Sequence, residues 1–216
     1  MSPAQRATER PAGAIGREAL RGEAEITTGS AWRGDRRALA VLLYDGYAKK
    51  SAALRVDREA ALGILAEALD PDRCFVAVKD GRTVGIVGLV VGDTRALAFP
   101  FALLRRHFGA LRAAAYSVPL LVRSWDRPSA DEIEFETLAV EPSARHQGIG
   151  TSLVRRVESH ARARGCRSVG LEVVDSNEAA IRLYSRLGYA IVKTRRYAFV
   201  TRQAGFGACH RMRKYL

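Results

Sequence analysis

No apolar run in this chain reaches the ~18–20 residues that cross a bilayer, which argues against a membrane-spanning segment. Cysteine is scarce: Cys74, Cys166 and Cys209 are odd in number and have no metal-ligand spacing, so neither a disulfide framework nor a zinc knot is expected. Cys74 and Cys166 fall at strand-like edges and suit buried reduced thiols, and a cytoplasmic protein follows. The four histidines, at 107, 146, 160 and 210, are scattered, so no metal site is expected. Residues 1–30 lack the apolar h-region of a secretory signal, and Glu9, Glu18, Glu23 and Glu25 argue against a transit peptide. A poorly ordered leader is expected over 1–30, ahead of a single domain over 31–216. Lysine is also rare, since 30 of the 35 basic residues are arginine. The formal net charge of +12 suggests a nucleic-acid partner. However, the arginines spread along the whole chain, with no run interleaved with aromatics and no helix-turn-helix, RNP or zinc-finger pattern. Nucleic acid is therefore not expected to be the main partner, and part of the charge suits an anionic cofactor.

What is present is a globular composition, 48% hydrophobic and 27% charged, enough for one sizeable core. Asp35–Ala48 reads as a helix with Leu39, Leu42, Leu43 and Tyr47 near one face. Asp57–Leu69 reads as a second, with Ala60, Ala61, Ile64, Leu65 and Ala68 as its stripe and Pro71 as its stop. Cys74–Val78 and Thr83–Val91 are β-rich runs around Asp80-Gly81, a hairpin signal. Ile133–Val140 is the next strand. The helix Ile149–Arg164 follows, with Ile149, Leu153, Val157 and Ala161 inward, Arg155, Arg156, Glu158 and Arg162 toward water, and Gly165 as its stop. A strand at Val169–Val174, a helix at Asn177–Leu187 and strands at Ala190–Thr194 and Ala208–Lys214 complete the series. The order is α/β, with a mixed sheet between helices.

The most informative stretch is Glu134–Gly150, EFETLAVEPSARHQGIG. A strand feeds a short turn, then Arg145-x-x-Gly148-x-Gly150, then a helix. Glycines admit a ligand close to backbone N–H groups, and the helix N-terminus adds partial positive charge, so the turn is an anion cradle. It is not a P-loop, because no lysine follows the glycines. Nor is it a dinucleotide fingerprint, because Leu153 stands where a third glycine belongs. Downstream, Asn177 suits an N-cap and Gly188 a C′ position, while Ala180, Leu183, Tyr184 and Leu187 share a helix face.

With these two segments the chain resembles the GNAT N-acetyltransferases, sharply between Glu134 and Tyr189 and loosely from Asp35 to Leu216. The resemblance implies a mostly antiparallel central sheet flanked by helices, the first two of them beside the acceptor pocket. It implies acetyl-CoA as cosubstrate, with no metal. Main-chain groups of Leu138, Ala139 and Val140 would pair with the pantetheine arm on a strand that bulges away from its neighbour. Arg145, His146, Gln147, Gly148, Ile149, Gly150 and Thr151 would surround the pyrophosphate, and Asn177 and Tyr184 would come from the second cofactor helix. Tyr184 is the candidate general acid, since a phenol with a pKa of ~10 is protonated at neutral pH. Glu134 and Glu136 share one strand face and are the candidate bases, with Glu136, nearer the expected splay, preferred. The acceptor would be a primary amine of a small molecule or a peptide, attacking directly in a ternary complex. An acyl-CoA-binding regulatory protein without turnover and a basic nucleic-acid- or ribosome-associated protein stay open as other classes.

Residues 95–130 exceed what a minimal member of that family needs. They carry apolar blocks, six arginines and no acidic residue before Asp126. A helical insertion is expected, as a hairpin that covers the sheet or makes a homodimer contact. A substrate-selecting lid and a membrane-surface patch are the other readings. Pro100 and Pro119 argue against one unbroken helix.

Overall fold

Short-range chemistry sets the boundaries of most elements. Asp57 caps one helix by accepting hydrogen bonds from the Glu59 and Ala60 amides. Asp80 and Gly81 both take positive φ, as a two-residue hairpin turn requires, and Lys79 pairs with Arg82 across them. Two helices end in the same left-handed glycine motif. At Gly165 and at Gly188, the next residue's amide reaches back to the carbonyl of Ala161 and of Tyr184 respectively.

The computed structural model describes residues 24–30, 32–51, 56–123, 128–196 and 205–216. Its elements run β1 (Glu25–Thr28), α1 (Arg36–Ser51), α2 (Arg58–Ala68), β2 (Cys74–Lys79), β3 (Arg82–Val91), β4 (Thr94–Arg95), α3 (Phe101–Arg123), β5 (Glu132–Val140), α4 (Ile149–Ala163), β6 (Ser168–Val174), α5 (Glu178–Arg186), β7 (Ala190–Arg196) and β8 (Ala208–Tyr215). The sheet order is β1-β2-β3-β5-β6-β8-β7, with β4 paired to β3. Among the described residues only β5–β6 is parallel, so the sheet is mixed and mostly antiparallel, as expected.

Alternation along the strands builds a core on each face. From β2, Phe75 and Ala77 join Leu153, Val157 and Ala161 of α4, while Cys74 and Val76 join Leu39, Leu42 and Leu43 of α1. Burial and the neighbouring Asp70 push the Cys74 thiol up to about 12, so it serves as packing. Of the stripe expected on α2, Ile64 and Ala68 are buried, and Leu62 joins them. The side chain of Tyr47 lies outside the described residues.

Three expectations are corrected. The leader placed over 1–30 is too long, because Glu25–Thr28 pairs with β2 as an edge strand; residues 1–23 lie outside the described residues. The insertion is helical, but its break falls at Gly109 (φ 76°, ψ 167°) and not at a proline: Pro100 precedes the helix, and Pro119 lies within the helical span. Glu158 does not face water. It is buried on α4 and paired with Lys214 of β8 through both carboxylate oxygens, at 2.9 and 3.0 Å. A carboxylate at an inward position needs such a partner, which helix periodicity alone does not reveal.

Candidate active site

The site begins where two parallel strands part. β5 and β6 pair from Glu132–Ser168 to Phe135–Leu171 and no further, yet β5 continues to Val140 and β6 to Val174. At the parting point Thr137 takes φ 57°, a strained setting for a β-branched residue, and the β3–β5 register slips between Ile86 and Gly88. Gly88 is what permits this. A Cβ there would lie 2.5 Å from Thr137 Oγ1 and 2.6 Å from Ala96 Cβ. The bulge turns β5 away from β6, and Leu138, Ala139 and Val140 run along the opened side as strand backbone without a β6 partner, the setting for an extended polar ligand to add as a strand.

β5 leads into a 3-10 turn at Pro142–Ala144 and then the cradle. Gly148 is the residue before α4, at φ 81°, with open space where its Cβ would be. No side chain caps the helix and no acidic residue stands in its first turn. The first helical bond there runs from Ser152 N–H to Gly148 C=O, so the amides of Ile149, Gly150 and Thr151 have no intrahelical acceptor. Gln147 braces the turn, accepting from Lys79 Nζ at 2.7 Å and donating to the Ser143 carbonyl at 3.2 Å. Arg145 Nε donates to the Val140 carbonyl at 3.2 Å, and His146 is exposed at φ 63°. A diphosphate fits this donor set.

On α5 the expected cap holds: Asn177 Oδ1 accepts from the Ala180 amide at 3.2 Å. Tyr184 is buried against Phe135, the last β5 residue paired to β6, with ring centroids 5.6 Å apart, and against Tyr189 at 6.1 Å. The candidate acid therefore sits at the root of the opening.

On the other sheet face lies a row of glutamates from β5. Glu132 is fully buried and accepts from Arg213 Nε and Nη2, at 2.7 and 2.9 Å, and from Arg211 Nη2 at 3.1 Å. Glu134, also buried, pairs with the same Arg211 nitrogen. Burial pushes its carboxyl up to about 7. Arg211 opposes that rise, and the charges of Glu132 and Glu172 add to it. Glu136 is engaged elsewhere, accepting from the Leu97 amide at 3.3 Å and from Arg95 at 3.4 Å. Both candidate bases thus share one face as expected, and the raised carboxyl of Glu134 suits proton exchange near neutrality.

Sequence reasoning missed Arg211, Arg213, Glu132, Gly170, Thr137 and Gly88. An Arg-x-Arg alternation at 211 and 213 beside Glu-x-Glu at 132 and 134 was the available signal. Its meaning depends on which strands neighbour each other, and that is a property of topology.

A model of the Acetyltransferase (GNAT) family matches residues 43–189. Streptothricin acetyltransferase of Streptomyces lavendulae is 30% identical over 121 residues, 56% of this chain and 59% of that protein. Ribosomal protein bS18-alanine N-acetyltransferase of Escherichia coli K12 is 37% identical over 71 residues, 33% of this chain and 48% of that one. The match thus spans about half the length of these curated relatives. Among solved structures, a GCN5-related N-acetyltransferase from Kribbella flavida superposes with a TM-score of 0.57 at 19% identity, over 90% of this chain and 98% of that one. An agmatine N-acetyltransferase gives 0.55 at 19% identity, over 90% and 100%. At these identities the likeness to solved structures speaks for the fold.

Proposed function

We propose that this chain, which belongs to the GNAT acetyltransferase family, transfers the acetyl group of acetyl-CoA to a primary amine of a small molecule or peptide, by direct attack in a ternary complex. One observation carries the reading. The strand that loses its β6 partner after Phe135 runs straight into an uncapped helix N-terminus, so a single ligand can add to the strand and place a diphosphate on the cradle. The relatives fit an amine acceptor, since one is named for streptothricin and another for an alanine of ribosomal protein bS18.

Acetyl-CoA supplies an activated thioester; the chain must position it and manage two protons. Backbone groups of Leu138–Val140 hold the arm, and the amides of Ile149, Gly150 and Thr151, with the Arg145 charge beside them, hold the diphosphate. Gln147 acts on the shape of the turn. Glu134 takes the proton of the attacking amine, directly or through one water, and Tyr184 gives a proton to the departing sulfur.

The test is release of free CoA thiol across a panel of small and peptide amines. Amine-dependent release is expected, and acetyl-CoA binding with no release for any amine would leave a binding protein instead of an enzyme. Within that assay, Tyr184→Phe is expected to lower kcat on the order of 10²-fold while calorimetric acetyl-CoA affinity stays within about twofold. Unchanged kcat under chemistry-limited conditions removes Tyr184 from the mechanism.

A further inference from the structure

Around the glutamate row the donors are shared unequally. Glu132 receives three hydrogen bonds from two arginines of β8, whereas Glu134 shares a single guanidinium nitrogen of Arg211 with it. Register alone would not give this pattern. Glu134 is level with Gly170 of β6, and Gly170 with Arg213 of β8, yet Arg213 turns aside to Glu132, and Arg211, level with Glu172, crosses to Glu134. β6 lies between β5 and β8, so these side chains meet only by passing over it.

Gly170 is the gap that lets them meet. It has an ordinary strand φ, so no backbone constraint calls for glycine there. A Cβ at that position would lie 2.7 Å from Glu132 Oε1, 3.1 Å from Glu134 Cγ and 3.3 Å from Glu134 Oε1. The missing side chain is the space the two carboxylates occupy.

The geometry points to Arg211 as the positioning residue of the reaction: it orients the Glu134 carboxylate and keeps it ionisable, while Glu132, reaching β8 over Gly170, holds Arg211 in place. The inference rests on Glu134 acting as the base. Its logic is electrostatic. Four charged groups act on Glu134: Arg211 from β8 and Arg95 from β4 favour the carboxylate, while Glu132 on its own strand and Glu172 of β6 disfavour it. Arg211 is the cation in contact. Glu132 accepts from Nε and Nη2 of Arg213 and from Nη2 of Arg211, so it anchors both arginines, and Arg211 is the one that also reaches Glu134. Arg211 Nε and Glu134 Oε1 are both buried without a hydrogen-bond partner, so Arg211 holds Glu134 as an ion pair while its hydrogen bond goes to Glu132.

Three variants test this: Arg211→Gln, Arg211→Lys and Gly170→Ala, the last of which leaves every charge in the chain. Removing a contacting cation raises the carboxyl pKa, so the acid limb of kcat/KM should move to higher pH. In Arg211→Gln the shift is expected to be at least one pH unit, about fivefold in rate at the wild-type midpoint and about tenfold well below it, with Arg211→Lys recovering part of it. Gly170→Ala should shift the limb in the same sense by displacing both carboxylates. The titration of Glu134, followed directly by carbon NMR of labelled glutamate, should move in parallel. A Glu134 midpoint that stays in place in folded Arg211→Gln overturns the role of Arg211, even where Glu134 is the base. Full activity in Glu134→Gln instead overturns the base assignment, whatever Arg211 does.

Discussion

Gly148→Asp is expected to weaken acetyl-CoA binding roughly 10²–10³-fold, whereas Gly148→Asn keeps it within about tenfold. The two side chains are nearly the same size, so the contrast isolates charge. Gly148 stands at φ 81°, and among residues with a Cβ, asparagine and aspartate enter that region most readily. A Cβ at 148 meets no atom within 4 Å, so neither substitution requires repacking. Both residues are also favoured N-caps, so α4 keeps or gains stability and the variants should fold. The diphosphate, by contrast, would meet a carboxylate at the helix N-terminus. Like charges about 4 Å apart in a partly screened site repel by roughly 4 kcal/mol before relaxation. Gly150→Ala is the mild control, since its Cβ would sit in ordinary contact, 3.7 Å from Leu183 and 3.9 Å from Val140. Calorimetric titration decides the matter: equal affinity in the aspartate and asparagine variants would move the diphosphate away from this turn.

The cradle could be read from the chain because it is local. Strand, turn, glycines and helix are contiguous, and each residue's role depends on neighbours a few positions away. The caps at Asp57 and Asn177, the Asp80-Gly81 turn and the glycine stops at 165 and 188 were legible for the same reason. The glutamate face of β5 was not. What each glutamate meets depends on which strands lie beside β5, since Arg211 reaches Glu134 across 77 positions of sequence and Arg95 reaches Glu136 across 41. Proximity to the splay favoured Glu136, whereas the case for Glu134 comes from burial, which raises its carboxyl against the pull of Arg211. Gly88 and Gly170 read as unremarkable strand glycines until the structure shows the Thr137 hydroxyl over one and two carboxylates over the other. The edge strand β1 was hidden by its position in an otherwise featureless stretch; its pairing with β2 supplies what its own four residues do not.

Glu134→Gln is expected to lower kcat/KM on the order of 10²–10⁴-fold at pH 8, with acetyl-CoA affinity retained. Wild-type activity should rise about tenfold per pH unit toward pH ~7 and level off above it, because only the ionised carboxylate accepts the amine proton and its value is raised to about 7. The variant should lose that limb. Stability should respond in the opposite sense. A carboxyl raised in the folded state contributes stability that is full below its ordinary value and is lost as pH rises through about 7. The amide never ionises, so the melting temperature of Glu134→Gln should change less between pH 5 and 8 than that of wild type. Arg211 still has Glu132 as a partner there, so the substitution does not strand a buried charge. Glu136→Gln separates the two candidates: its oxygens hold the Leu97 amide and Arg95, so the variant should change KM and leave the acid limb in place. If the limb instead moves in Glu136→Gln and stays in Glu134→Gln, the proton goes to Glu136, and the buried cluster of Glu132, Glu134 and the two arginines serves the fold alone.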